Sequence, residues 1–239
     1  MDRPLRKLVA EESTLINARL MDVYEHLLRH YGARHWWPAD TAFEMIIGAI
    51  LTQSVAWSNV EKAIANLKAA NALDPVALDS LPIDELAQLI RPSRFFNVKA
   101  GTIKAFLAHL QGYEYDLDAF FSKSVDALRG ELLSIRGVGL ETADSIILYG
   151  AHKPIFVIDA YTKQLMQRLG LVDHGISYIE LQAFFESDLP RETGLFQEYH
   201  AQIVHHCHAT CQMKPLCKAC PLLSLCGFGQ GQGQLREER

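Results

Sequence analysis

The feature that most constrains this chain is a pair of glycines, Gly137 and Gly139, set between two helix-length runs. Leu133-Ser134-Ile135-Arg136-Gly137-Val138-Gly139 closes the first run and Glu141 to Gly150 forms the second, so the chain must reverse within a few residues. Both glycines can take φ > 0 and let another backbone come close. The N–H groups that open the next helix then face outward, an anion site that needs no lysine and accepts any phosphodiester. A plain glycine-capped connection between helices has the same pattern. Past the turn, an extended apolar run, Pro154-Ile155-Phe156-Val157-Ile158, delivers Asp159 to the mouth of another helix. Asp159 suits an N-cap, and a cap also holds a carboxylate ionised and in place for chemistry.

Elsewhere apolar residues recur at helical spacing and no stretch sustains a period of two, so the expected class is all-α. Glu12 to Tyr31 reads as an amphipathic helix with Leu15, Met21, Val23, Leu27 and Leu28 near one side. Ala42 to Thr52 is apolar nearly all round, as a central buried helix is. Val55 to Leu73, a helix from Ile83 ended by Arg91-Pro92, and Lys99 to Leu110 follow. Asp116 to Phe121, Val125 to Ser134, Tyr161 to Leu169, Tyr178 to Ser187 and Phe196 to His206 complete the set, and the glycine-rich end from Gly227 is expected to be disordered. There is no run of 18 apolar residues and the charged start lacks an apolar h-region, which points away from a membrane and from secretion, towards a reducing, cytoplasmic setting. A net charge of −5 is unlike a strongly basic nucleic-acid binder and implies few phosphate contacts.

Cys211, Cys217, Cys220 and Cys226 are spaced C-x5-C-x2-C-x5-C, with Cys207 as a fifth. Four thiols packed so densely in a cytosolic chain point to a metal, and the spacing leaves tetrahedral zinc and a [4Fe–4S] cluster both open. Trp36 and Trp37 are adjacent and cannot share one helical face; core packing is the expected fate of either, and a ring that instead faces a cleft can stack a base. Gln53 ends the apolar helix and either caps it or reads a base edge, since its amide both donates and accepts.

At these residues a family resemblance becomes specific. Leu133 to Asp159 resembles the helix–hairpin–helix/Gly-Pro-Asp superfamily of DNA base-excision glycosylases, whose type member is endonuclease III. The resemblance takes in Phe43-Glu44, Leu51-Thr52-Gln53, Phe96-Asn97-Val98-Lys99-Ala100, His206 and Thr210-Cys211, about residues 34 to 226. It implies a two-lobed helical fold. Residues 34–153 would form a six-helix barrel lobe with the hairpin, residues 1–33 and 154–226 a second lobe with the cysteines, and 227–239 a tail. It further implies a monomer acting on double-stranded DNA with a damaged base extruded from the stack. Asp159 stands at the catalytic aspartate, Gln53 at the lesion site, and Arg136, Gly137, Val138 and Gly139 on the DNA backbone.

The family carries a [4Fe–4S] cluster on C-x6-C-x2-C-x5-C. This chain is one residue short in the first gap, and the resemblance implies a cluster on Cys211, Cys217, Cys220 and Cys226, with Lys214 and Lys218 near the DNA. Bifunctional relatives place a lysine two residues after the second hairpin glycine, and here that position is Glu141, which cannot form an imine. Water is then the nucleophile and the enzyme a monofunctional glycosylase. Trp36, Trp37, Gln53, Trp57 and Glu141 are similar to the 3-methyladenine DNA glycosylase III branch, which implies alkylated purines held against aromatic faces. The alternatives are an endonuclease III-type glycosylase/lyase for oxidised pyrimidines and a non-catalytic damage-binding module.

Overall fold

The computed structural model describes residues 19–231, so residues 12–18 of the first expected helix and the end beyond 231 lie outside the described residues. Among the described residues all regular structure is helical, and no strand occurs. The chain forms two compact units: an inserted unit, Trp37–Ile155, and a flanking unit made by the chain up to Trp36 and from Phe156 onward.

In the inserted unit, helix α2 (Ala42–Thr52) is the hub, with every residue from Phe43 to Leu51 buried. Thr41 caps it by accepting the Glu44 N–H at 3.1 Å. Around it run α3 (Trp57–Ala69), α4 (Pro75–Ser80), α5 (Ile83–Leu89), α6 (Phe96–Gln111), α7 (Leu117–Phe121) and α8 (Val125–Ser134). The short α4 escapes pattern reading because it buries one residue, Leu78; its signal is Asp74 as N-cap before Pro75. Helix α6 starts a turn earlier than its apolar spacing suggests. Helix α9 (Leu140–Ser145) passes into a π turn, Ile146–Gly150, in which the Ala151 N–H reaches the Ile146 carbonyl at 3.0 Å. Gly150 allows that turn to approach α2, since a Cβ there would stand 3.2 Å from Met45 Sδ.

The flanking unit comprises α1 (described over 19–31), α10 (Ala160–Leu169), α11 (Tyr178–Asp188) and α12 (Thr193–Ala209). Its core stacks Phe156 on Phe185 at 3.9 Å, with Phe196 and Tyr199 against them, and the Tyr199 hydroxyl donates to the Leu20 carbonyl at 2.8 Å. Ser177 and Glu180 close a reciprocal capping box on α11. The apolar stretch before Asp159 is extended without joining a sheet. Side chains of α11 satisfy its backbone instead: Glu186 accepts the Phe156 N–H at 2.8 Å and Gln182 donates to the Phe156 carbonyl at 2.7 Å. The expected disorder from Gly227 is corrected for 227–231, which form a helical turn anchored by the Gln230 N–H on the Cys226 carbonyl. No described helix is long and apolar enough to cross a membrane.

Candidate active site and cysteine-lined pocket

The hairpin glycines differ in what they do. Gly137 has φ +91°, and a Cβ there would lie 2.1 Å from Thr102 Oγ1, so no side chain fits. Gly139 is extended (φ −98°, ψ −179°), so only Gly137 of the pair uses positive φ. The Val138 N–H is taken up inside the turn by the Ile135 carbonyl at 3.1 Å, and its side chain is buried. No side chain caps α9 at Gly139, and Arg136 beside its start is exposed. Glu141 sits in the first turn of α9, exposed to solvent.

Gln53, at the C-terminus of α2, donates to Thr142 Oγ1 at 2.9 Å and to the Gly137 carbonyl at 3.3 Å. It is therefore tied to the hairpin, with part of its surface exposed. Trp37 packs edge-on against Trp57 (5.3 Å) and against Tyr149 (5.4 Å), over Gly48 of α2. Trp57, the first residue of α3, stays half-buried. Trp36 is also half-buried but belongs to the flanking unit.

Sequence reasoning missed a strained tip in the inserted unit. Arg94 (φ +56°) and Phe95 (φ +44°) are consecutive non-glycine residues at positive φ, and Phe95 is 62% exposed. Val98 and Thr102 follow on α6, and Thr102 is the residue that meets Gly137, so the tip lies on the hairpin's side of α6. Lys99, 3% exposed, holds the base of this tip: its ammonium donates to the Leu51 carbonyl at 2.8 Å and to the Ser93 carbonyl at 2.5 Å. Burial, aided by the Arg94 charge, pushes its pKa down to about 8. No local pattern marks these roles, since they arise from contacts distant in sequence.

In the flanking unit Asp159 is the N-cap of α10, its Oδ1 accepting the Thr162 N–H at 2.6 Å. Its Oδ2 lies 3.6 Å from His200 Nε2 on α12, with the Asp159 and His200 side chains 11% and 7% exposed. Burial pushes the Asp159 carboxyl up, but His200 and then Thr162 outweigh it, and the net shift is below the ordinary value. Asp159 is an ionised carboxylate at neutral pH. Nothing in the sequence pattern singles out His200.

Cys211, Cys217, Cys220 and Cys226 line one pocket, walled also by Arg168 and Phe228, whereas Cys207 does not reach it and points to the Tyr161 carbonyl at 3.7 Å. Arg168 Nη1 contacts Cys211 Sγ at 3.2 Å, and His206 Nε2 approaches Cys220 Sγ at 3.7 Å while Tyr31 bonds its Nδ1 at 2.9 Å. The Cys207 thiol, opposed by burial and joined by His206 and Arg168, pulls the Cys211 thiol down to about 4; burial and the other cysteines push Cys220 up to about 11. Among the described residues no three His, Cys, Asp or Glu side chains converge as ligands of one ion. The donor set, four thiols lining one pocket, is one that both tetrahedral zinc and an iron–sulfur cluster accept. Lys214 and Lys218 are exposed on this loop.

Comparison with known proteins agrees with this arrangement. The sequence model of the HhH-GPD superfamily base excision DNA repair proteins matches residues 47–191. The chain is 44% identical over 207 residues to MJ1434 of Methanocaldococcus jannaschii, a protein assigned by inference to the DNA repair glycosylases, covering 85% of this chain and 94% of that one. It is 26% identical over 194 residues to endonuclease III of Bacillus subtilis, covering 79% and 82%. The Helicobacter pylori 3-methyladenine DNA glycosylase MagIII, solved with 1,N6-ethenoadenine, superposes with a TM-score of 0.68 at 27% identity, covering 81% of this chain and 96% of that one. An endonuclease III–DNA covalent intermediate superposes with a TM-score of 0.78 at 22% identity, covering 90% and 98%, a likeness of fold.

Proposed function

The chain belongs to the HhH-GPD superfamily of base excision DNA repair proteins and is a DNA glycosylase of that superfamily, and from this we propose that it hydrolyses the N-glycosidic bond of alkylated purines without cutting the strand. The observation that carries the reading is Asp159, an enclosed carboxylate held ionised with one oxygen engaged by the helix cap. Cleavage of a glycosidic bond passes through an oxocarbenium-like state, and a fixed negative charge beside C1′ stabilises it. The same carboxylate orients the water that attacks C1′ and accepts its proton. Because the folded pKa is depressed below 3.8, the stability Asp159 contributes is present above that value and is lost only as pH falls through the folded one.

Water is the nucleophile because Glu141 occupies the position from which a lysine would attack, and a carboxylate forms no imine. An alkylated purine that carries positive charge leaves readily and is held best by aromatic faces, the part assigned to Trp57 backed by Trp37 and Tyr149. MagIII, solved with an etheno-modified adenine, supports this substrate class by its similarity. Arg136 and the open end of α9 hold phosphate, Gln53 contacts the damaged pair, and the exposed Phe95 stacks against unpaired bases. The four cysteines, Cys211, Cys217, Cys220 and Cys226, are assigned to a [4Fe–4S] cluster, a reading supported by their lining one pocket and by their spacing, with a structural part in pinning the loop that carries Lys214 and Lys218.

The test is base release from duplexes carrying 3-methyladenine, 1,N6-ethenoadenine, uracil, 8-oxoguanine or thymine glycol, with borohydride present in parallel. Alkylated or etheno purines should be released, the abasic site should stay uncut, and no protein–DNA adduct should form. Asp159→Asn should slow release by on the order of 10²–10³ at unchanged DNA affinity. Trapping of the wild type together with release of thymine glycol alone would overturn the reading. Iron and sulfide analysis of the purified protein checks the cluster, and stoichiometric zinc without iron would reject it.

A further inference from the structure

The two oxygens of Asp159 have different surroundings. Oδ1 is fixed by the Thr162 N–H at 2.6 Å as part of the helix cap. Oδ2 is the oxygen left for chemistry, and the group that faces it is the His200 imidazole, at 3.6 Å. This is an ion-pair distance, longer than a direct hydrogen bond. His200 projects from α12 next to Tyr199, whose fully buried ring and bond to the Leu20 carbonyl hold that part of the helix in place. The other polar groups near Asp159 are Tyr161 and Thr162 of α10 and Cys207 of α12. Burial drives the Tyr161 hydroxyl, and the Cys211 thiol with burial drives the Cys207 thiol, towards their protonated forms, so neither supplies positive charge. An aspartate so enclosed would, from burial alone, favour its proton, and His200 is the largest influence acting against that.

We propose that His200 is a positioning residue of the glycosylase reaction, which orients Asp159 Oδ2 and keeps it charged for the sugar. The proposal rests on Asp159 being the catalytic carboxylate. His200 acts through that carboxylate and does not touch the reacting atoms. Two consequences follow that a purely structural histidine would not have. Removing the imidazole should let burial dominate, so that the carboxylate titrates at higher pH and the acid limb of the rate profile moves upward. Its effect should also vanish once Asp159 has lost its charge.

The experiment is single-turnover base release, with full-length protein in excess over a 1,N6-ethenoadenine or 3-methyladenine duplex, across a pH series. The variants are His200→Phe, His200→Asn, Asp159→Asn and the double variant Asp159→Asn with His200→Phe. DNA affinity and thermal unfolding are measured beside them. His200→Phe should lower the rate roughly ten- to hundredfold, with affinity within about threefold of wild type. Its acid limb should rise by about one pH unit, and the double variant should be no slower than Asp159→Asn alone. His200→Asn, which keeps a donor on a small side chain, should recover part of the rate. It also carries the test if the phenylalanine variant fails to fold, by the same shift of the acid limb. A rate within threefold of wild type with an unmoved limb, or losses that multiply in the double variant, would overturn the proposal. Near wild-type turnover by Asp159→Asn is a different result: it removes the catalytic reading of Asp159 itself.

Discussion

A single methyl group distinguishes the two hairpin glycines. At Gly137 it would meet the Thr102 hydroxyl at 2.1 Å and would sit on a backbone with φ +91°. At Gly139 it would meet nothing within 4 Å, on a backbone that any residue adopts. Gly137→Ala should therefore lower folding stability by about 2–3 kcal/mol through strain and overlap. Gly139→Ala should change it by no more than about 0.5 kcal/mol. Urea unfolding of the two variants checks this, and equal losses would show that the contact with Thr102 gives way. The pair itself is legible in the sequence, because two glycines around a valine between apolar runs require a tight turn. Which glycine is indispensable is not legible, since the answer depends on Thr102 of α6, 35 positions earlier in the sequence. Asp159 reads in the same way: its capping place follows from the run before it, but its ionisation depends on His200, 41 positions later in the sequence.

Elements here are tied at their ends by side chains whose partners are backbone groups. Lys99 joins the last turn of α2 to the turn before α6, and its amine is more readily deprotonated in the native state than in the unfolded chain. Between about 8 and the ordinary 10.5, the unfolded chain holds a proton that native Lys99 has released. Native stability at this group thus rises with pH through that window, by roughly 3 kcal/mol in all. Lys99→Met lacks the titration and leaves two carbonyls without their donor, so it should be less stable than wild type at neutral pH by about 1–3 kcal/mol. The gap between the two proteins should widen from pH 8 to 10.5, as measured by denaturant unfolding at each pH; a constant gap would mean that the amine stays protonated. The extended run before Asp159 shows what pattern reading reaches at this scale. Its apolar character predicts burial, yet its backbone partners are Glu186 and Gln182 of a later helix, which no local periodicity reveals.

For the whole molecule, the all-helical class follows from periodicities spread along the chain, whereas the division into units depends on where the chain closes on itself. The inserted unit is continuous in sequence, with α2 as its hub and its own hairpin, Lys99 tie and aromatic cluster. A fragment spanning Trp37 to Ile155 should keep its helical content and unfold cooperatively in urea, as a single domain of this size does. Loss of the cooperative transition in circular dichroism would show that this unit needs the rest of the chain.

The flanking unit is discontinuous, and the bond from the Tyr199 hydroxyl to the Leu20 carbonyl spans 179 positions. On the ribosome, at about 5–20 residues per second, roughly nine to thirty-six seconds separate the synthesis of those two partners. Through that interval the apolar face of α1, with Leu20, Val23 and Leu27, has emerged before the helix that will cover it exists. The inserted unit can fold in the meantime. An inserted unit that folds on its own would thus be complete while α1 still lacks its partner, and an apolar segment left exposed in this way is the kind that a holdase chaperone binds until α12 has been made.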